Sequence, residues 1–263
     1  MDMASICTDL EAEHDALDGL LRGLREADWN RPTPAEGWMV RDQISHIGST
    51  DRVATVAAAE PKRFEAEFLS QNRRHRMARQ LETGRRLRGD ELLEWWRTGR
   101  TAMLLVFRQL DARARIPWFG PAMSAVSFAT ARLMETWAHG QDIVDALGLE
   151  RPATARLRHI AHIGVRARPF SFRIHDREPP EEDVRVELIG PAGELWTWGD
   201  NQARQRVSGS ALDFCLVVTQ RRHLADTALQ IEGAVAEAWM RLAQAFAGPP
   251  GAGRQPGQFS GST

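Results

Sequence analysis

Tyrosine is absent from the 263-residue chain, lysine is reduced to Lys62, and only two cysteines occur, Cys7 and Cys215. Two cysteines exclude a disulfide framework and a four-cysteine zinc site. Charge of one sign is lacking too: the formal net charge of -1 argues against a general nucleic-acid or membrane-surface binder. No apolar run approaches the roughly 20 residues of a membrane span. The start Met1-Asp2-Met3-Ala4-Ser5 lacks the basic-then-apolar pattern of a secretory signal. These absences lead us to expect a cytoplasmic protein with no nucleic-acid and no membrane partner. Because lysine is so scarce, arginine carries the positive charge, a bias we assign to base composition and not to chemistry. Hydrophobic residues make up 43% of the chain, enough to build the core of one large domain or two ordinary ones.

The first half has helical periodicity. Ile6, Leu10, His14, Leu17, Leu20, Leu21 and Leu24 recur at three- and four-residue steps. Asn30-Arg31-Pro32-Thr33-Pro34 breaks that helix. A second helix follows Gly37-Trp38, with Val40, Ile44, Ile47 and Val53 on its apolar side, Gly48 placed to admit another backbone, and Pro61 as its end. The charged stretch from Phe64 to Arg88 reads as a solvated helix, and Glu91 to Leu110 as an amphipathic one. After the loop Ile116-Pro117-Trp118-Phe119-Gly120-Pro121, a long helix from Ala122 to Leu147 stops at Gly148. A further helix, Arg156 to Arg168, is closed by Pro169. The second half changes period: Asp183 to Ile189 alternates, Gly190 to Gly193 turns, and Glu194 to Trp198 completes a hairpin. A helix around Leu212 to Val218, a short strand at Leu229 to Ile231 and a helix from Val235 to Phe246 complete it. The fold class is therefore α+β: a helical domain over residues 1–170, a linker at Pro179-Pro180-Glu181-Glu182, a small α/β domain over 183–248, and a Gly/Pro/Ser-rich tail, 249–263, expected to be disordered.

Chemistry concentrates at Ala131-Arg132-Leu133-Met134-Glu135-Thr136-Trp137-Ala138-His139-Gly140. Glu135 and His139 are one helical turn apart on one face. Such a pair can be a surface contact worth about 0.2–0.5 kcal/mol. It can equally project inward beside Met134, Trp137 and Ala138, and an inward polar group needs a partner. His46, flanked by Ile44 and Ile47, is a candidate third ligand. Two His and one Glu would hold a metal with coordination positions left open, unlike a closed structural site.

The run Gly37-Trp38-Met39-Val40-Arg41-Asp42-Gln43-Ile44-Ser45-His46 resembles the Trp-x-x-x-Asp-x-x-x-His start of the second helix in the DinB-like superfamily. More narrowly it is similar to the mycothiol-dependent maleylpyruvate isomerase family, whose second ligand helix resembles Glu135 to His139. Trp118 to Pro121, Leu133 to Asp142 and Ala211 to Arg222 look like an actinobacterial subgroup known mainly as metal-binding. The resemblance implies a DinB-like four-helix bundle holding a divalent metal, most often zinc, through His46, Glu135 and His139. It implies a small C-terminal domain similar to the sterol-carrier fold, and mycothiol as a cosubstrate. Met39 departs from it, standing where many relatives have a capping Thr or Ser.

From this follows an expected function: a metal-dependent, thiol-using isomerase or S-transferase acting on a small electrophile, as monomer or homodimer. A hydrolase or cyclase using metal-bound water and a non-catalytic small-molecule carrier are the alternatives. Asp42, one turn before His46, is the candidate catalytic base or orienting carboxylate, or else an ordinary first-turn acid. Arg221 and Arg222 are the candidate cofactor-binding residues, with Arg166 and Arg168 as further arginines able to hold a carboxylate. Trp118 and Phe119 would wall the site or pack in the core. Asp142 is expected at the surface and His14 as a satisfied core histidine. Neither Cys7 nor Cys215 is placed to be a nucleophile.

Overall fold

The structure, a computed structural model, describes residues 2–251 and 253–259. The chain divides into two compact units, Met1–Arg151 and Pro152–Thr263. In the first, α1 (Met3–Leu21) is followed by a short α2 (Glu26–Trp29) and by α3 (Val40–Ala59). Next come α4 (Pro61–Phe64), which runs into a π turn at Glu65–Leu69, then α5 (Arg73–Arg86) and α6 (Gly89–Phe107). A two-stranded hairpin, β1 (Arg115–Ile116) and β2 (Met123–Ser124), leads into α7 (Ala125–Leu147). Four of these make the bundle: α3 packs on α6 and α7, and α1 packs on the same two helices. Its core joins Leu17, Ile44, Ile47, Leu92, Trp96 and Ile143.

Local chemistry sets the ends of the bundle helices. Asp2 caps α1 by accepting from the Ser5 N–H at 2.8 Å, and Ser124 caps α7 by accepting from Ser127. Gly148 takes φ 64°, the left-handed conformation that ends a helix. Gly48 admits a side chain and not the expected backbone: a Cβ there would lie 2.4 Å from the Trp95 ring of α6. The close backbone approach is at Gly84, where a Cβ would lie 2.8 Å from the Arg41 carbonyl oxygen. The charged stretch is therefore not a wholly solvated helix, because α5 buries Gln80 and Gly84 against α3.

Two buried polar groups inside the bundle differ in their support. Asp51 of α3 and Arg132 of α7 form an ion pair, with two contacts of 2.9 and 3.1 Å to Asp51 Oδ1, and both side chains are almost wholly inaccessible. Trp96 Nε1 of α6 donates to the other carboxylate oxygen at 3.3 Å. His14 of α1, by contrast, lies edge-on to Trp96 at 5.8 Å, and neither ring nitrogen has a partner among the described residues. It is a core histidine, as expected, but not a satisfied one.

Burial, followed by the charges of Arg100 and Arg132, holds the His14 imidazolium pKa well below its ordinary 6.5. The folded state thus keeps His14 neutral while the unfolded chain protonates it below about pH 6.5. Its contribution to stability is intact above that pH and falls away as pH drops, by at most about 1.4 kcal/mol per pH unit for one proton. His14→Leu is expected to match or exceed wild-type stability at pH 7.5 and to lose less than wild type on going to pH 5, as read by urea midpoints. A mutant that tracks wild type at both pH values would refute this assignment.

In the second unit, α8 (Leu157–Arg166) and α9 (Arg168–Arg173) precede β3 (Val184–Ile189), β4 (Leu195–Trp198) and β5 (Gln205–Ser210). Then come α10 (Ala211–Val218), a 3-10 turn at Leu224–Asp226, β6 (Gln230–Glu232) and α11 (Ala234–Leu242). The sheet order is β4-β3-β5-β6; β3 and β5 are parallel, and the other pairs antiparallel. The division between units comes earlier than the Pro179–Glu182 linker. The reason is that α8 buries Leu157, Ile160, Ala161 and Gly164 and packs on α10, where Gly164 abuts Phe214 and Val218. Pro169 does not close α8 but sits in the first turn of α9, where its missing N–H costs nothing. In the tail, residues 252 and 260–263 lie outside the described residues. The remainder holds no helix or strand, yet the Gly257 N–H donates to Asp226 at 2.7 Å.

Candidate metal centre

His46 projects from α3 and Glu135 and His139 from α7, and one donor atom of each lies within 4.8 Å of the others. Most of the neighbouring positions are fully buried: Ile44, Ser45 and Ile47 on α3, and Met134, Thr136, Trp137, Ala138 and Gly140 on α7. The three donor residues are themselves half-buried, so the cluster keeps some contact with solvent. Trp38 covers part of it, stacking on His139 (5.9 Å, 16°) and meeting His46 edge-on at 5.3 Å.

The hydrogen bonds behind the imidazoles fix which nitrogen faces the cluster. Thr33 Oγ1 donates to the Trp38 carbonyl at 3.0 Å, so it can only accept from Gln43 Nε2 at 2.9 Å. That turns Gln43 Oε1 toward His139, which donates to it from Nδ1 at 2.5 Å. Gln80 Oε1 of α5 plays the same part for His46, accepting from Nδ1 at 3.1 Å. Each Nε2 then faces the cluster, and His139 Nε2 lies 3.2 Å from Glu135 Oε2. Two acceptors that close require a cation between them, a proton or a metal ion.

Electrostatics agree with a ligand set. Burial, then the neighbouring His139, pushes His46 down to about 3, so its imidazole is neutral at pH 7. Burial opposes the charge of Glu135. The hydrogen bond from His139 and the charges of His139, Arg132 and His46 outweigh it and leave the carboxyl at about 2. A divalent ion taking the place of the proton between His139 and Glu135 would be held by two imidazoles and one carboxylate, a set that would leave a net +1 and suit an anionic fourth ligand. The three donors could therefore hold a metal ion.

Residues 10–144, spanning α1 to most of α7, match the family described as mycothiol maleylpyruvate isomerase N-terminal domain. The chain belongs to this family. An uncharacterized protein of Mycobacterium tuberculosis, present in two strains, is 46% identical over 256 residues, which is 96% of this chain and 99% of that one. Among solved structures, the crystal structure of the mycothiol-dependent maleylpyruvate isomerase superposes with TM-score 0.58 at 15% identity, over 84% of this chain and 90% of that one. A point mutant of it gives TM-score 0.59 at 14% identity with the same coverage. At that identity the likeness establishes the fold, and the α+β class follows from it.

Within this family member, the other expected site residues fall elsewhere. Asp42 is fully buried and engaged: its carboxylate accepts from the Met39 N–H at 3.0 Å and from Arg85 at 2.9 and 3.1 Å. It supplies the N3 half of a capping box on α3, whose N-cap half Met39 cannot supply, and the group that contacts His46 Nδ1 is Gln80. Arg221 and Arg222 lie in the second unit just after α10, where Arg221 donates to the Thr219 carbonyl and Arg222 to that of Arg221. Arg168 donates to the Glu182 carbonyl. Trp118 and Phe119 join Phe64, Phe68 and Phe128 in an aromatic cluster, with Arg76 of α5 lying 3.6 Å over the Phe119 ring. Asp142 is buried, not at the surface. Cys7 and Cys215 are buried, and burial pushes both thiols up, away from nucleophilic use.

Gln43 and Gln80 escaped the sequence reading, although Gln43 sits one turn before His46 on the same face. Gln43→Leu, which keeps the bulk and removes the acceptor, is expected to weaken metal binding about 10–100-fold. A competition titration against a chromogenic chelator reads this directly; an unchanged affinity would show that the relay from Thr33 does not set the His139 tautomer.

Proposed function

We propose that this protein is a metal-dependent enzyme that uses a low-molecular-weight thiol, mycothiol, to isomerise or S-conjugate a small electrophilic substrate. The observation carrying this reading is the half-buried His46–Glu135–His139 cluster in a chain of the mycothiol maleylpyruvate isomerase family. Zinc is the metal proposed, since two imidazoles and a carboxylate suit it. A bound divalent ion would supply Lewis acidity, lowering the pKa of a coordinating thiol or water toward neutrality. The chain's own residues do the rest. Gln43 and Gln80 hold the Nδ1 protons, Glu135 offsets one positive charge, and Trp38 shields one flank from water. Cys7 and Cys215 are both buried, so on this reading the cosubstrate and not the chain supplies the sulfur nucleophile.

The test is product formation from a panel of small electrophiles, together with mycothiol consumption, with and without mycothiol and with and without chelator, on wild type and His46→Ala. Product that needs both thiol and metal and is absent from the mutant supports the proposal, with the thiol regenerated in an isomerisation and consumed in an S-conjugation. Turnover that needs metal but no thiol would replace it with a hydrolase or cyclase, and no turnover with intact metal would favour a small-molecule carrier.

A further inference from the structure

Arg76 of α5 differs from the other sheltered arginines of the first unit. Arg41, Arg97, Arg100, Arg132 and Arg151 each pair with a carboxylate. Arg52 donates to the Trp95 carbonyl at 2.9 Å. Arg76 is half-buried and has no acidic partner among the described residues. Its guanidinium lies 3.6 Å over the Phe119 ring, and its hydrogen bond to the Gln71 carbonyl is 3.4 Å long. Most of its N–H donors therefore meet no protein acceptor among the described residues. Burial, then the like charge of Arg73, lowers its pKa, and no acid opposes them.

The packing of α5 puts this cation beside the ligand cluster. Helix α5 runs antiparallel to α3: Gly84 abuts Arg41, and the Gln80 carbonyl accepts from Ser45 and, at 3.4 Å, from Ser49. The Gln80 side chain meets His46 Nδ1. Arg76 stands one turn before Gln80, on the same face of α5 and shifted toward the C-terminal half of α3. Both ligand helices keep a half-buried stripe in that direction: His46, Ser49 and Val53 on α3, and His139, Glu135 and Ala131 on α7. Phe119 comes from the loop ahead of α7, where its neighbour Trp118 meets Phe128, about two turns before Glu135. A strip of partly exposed side chains thus joins the three donors to the Arg76–Phe119 pair.

We propose that Arg76, held flat against Phe119, binds a carboxylate of the small electrophile whose reacting end meets the metal centre, so that the substrate is an anionic one. This rests on the metal-centre reading. A guanidinium offers a carboxylate a planar, two-pronged donor that an ammonium does not. The ring behind Arg76 fixes that plane by a cation–π contact. At Arg41, Arg97, Arg100, Arg132 and Arg151 an internal acid already takes the prongs, which leaves Arg76 to serve the substrate.

Calorimetric titration of the zinc-loaded full chain with cinnamate and cinnamamide, without thiol, tests it. The two probes share an electrophilic alkene and nearly the same shape and differ in charge. Cinnamate should bind with Kd below about 1 mM and about tenfold more tightly than cinnamamide. Arg76→Gln should weaken cinnamate about tenfold or more, leaving cinnamamide binding and the zinc affinity, read by chelator competition, unchanged. Arg76→Lys, which keeps the charge and loses the fork, should fall between. Both variants should keep the wild-type urea midpoint, since Arg76 closes no internal ion pair. Cinnamate affinity unchanged in Arg76→Gln, an equal loss for cinnamamide, or no binding of cinnamate to zinc-loaded wild type would overturn the proposal and leave the metal centre standing. A wild type that takes up no zinc would overturn the metal-centre reading, and this proposal with it.

Discussion

If the proposed metal centre is right, His46→Ala is expected to lose divalent-metal binding and any metal-dependent turnover while keeping its helical content. His46 supplies the one donor from α3; without it, Glu135 and His139 remain as two neighbours on a single helix. Two donors one turn apart make a far weaker site than three from facing helices, and we expect affinity to fall by more than about 100-fold, beyond the loss typical of an outer partner. The fold should survive, because the His46 ring is half-buried and the α3 core contacts are made by Val40, Ile44 and Ile47. Metal content by mass spectrometry and far-ultraviolet circular dichroism report the two halves. Wild-type metal stoichiometry in the mutant would remove His46 from the ligand set.

Asp51→Ala is expected to destabilise the protein by about 3–5 kcal/mol, the cost of stranding a buried charge. Arg132 would keep its hydrogen bond to Thr50 but lose both contacts to Asp51, in a place water does not reach. Trp96 Nε1 would lose its acceptor in the same step. Asp51 lies five residues beyond His46 on α3, and Arg132 three before Glu135 on α7, so the pair clamps the two ligand helices just beside the ligands. Metal affinity should therefore fall along with stability. The urea midpoint with unchanged m-value checks the first, and chelator competition the second. A loss under about 1 kcal/mol would mean that Arg132 finds another partner. Asp51→Asn, which keeps an acceptor, should cost less than the alanine variant.

The helices of the bundle were legible because their apolar residues keep a 3.6-residue period and Gly148 ends the last of them, whereas the caps Asp2 and Ser124 were not read, and α7 starts at Ala125 instead of Ala122. The ligand candidates were legible for a related reason: a Glu and a His at i and i+4, and a His between two isoleucines, are polar residues on faces that periodicity assigns to the interior. What escaped lacks such a signal. Strand β5 buries only Val207, and Arg206, Ser208, Gly209 and Ser210 read as a loop until β3 and β6 are seen to pair on either side of it. Gln80 is surrounded by arginines, and only its spacing from Gly84 hints that α5 has a buried side. Pro169 marks a helix start and a helix end equally well from sequence. The burial of Asp142 and the engagement of Asp42 with Arg85 depend on which helices become neighbours, which no local pattern states.

The chain has no disulfide to restrict its unfolded state, and Cys7 and Cys215 are both free. A metal held by His46 together with Glu135 and His139 would tie points about ninety residues apart along the chain. Closing a loop of that length removes unfolded-state entropy worth on the order of 4–5 kcal/mol in the chain-entropy account. The ion would then be a reversible cross-link as much as a reagent. An ion that binds only where α3 and α7 meet would stabilise the folded state alone, and the melting temperature would follow free metal concentration, rising by mass action as the site fills.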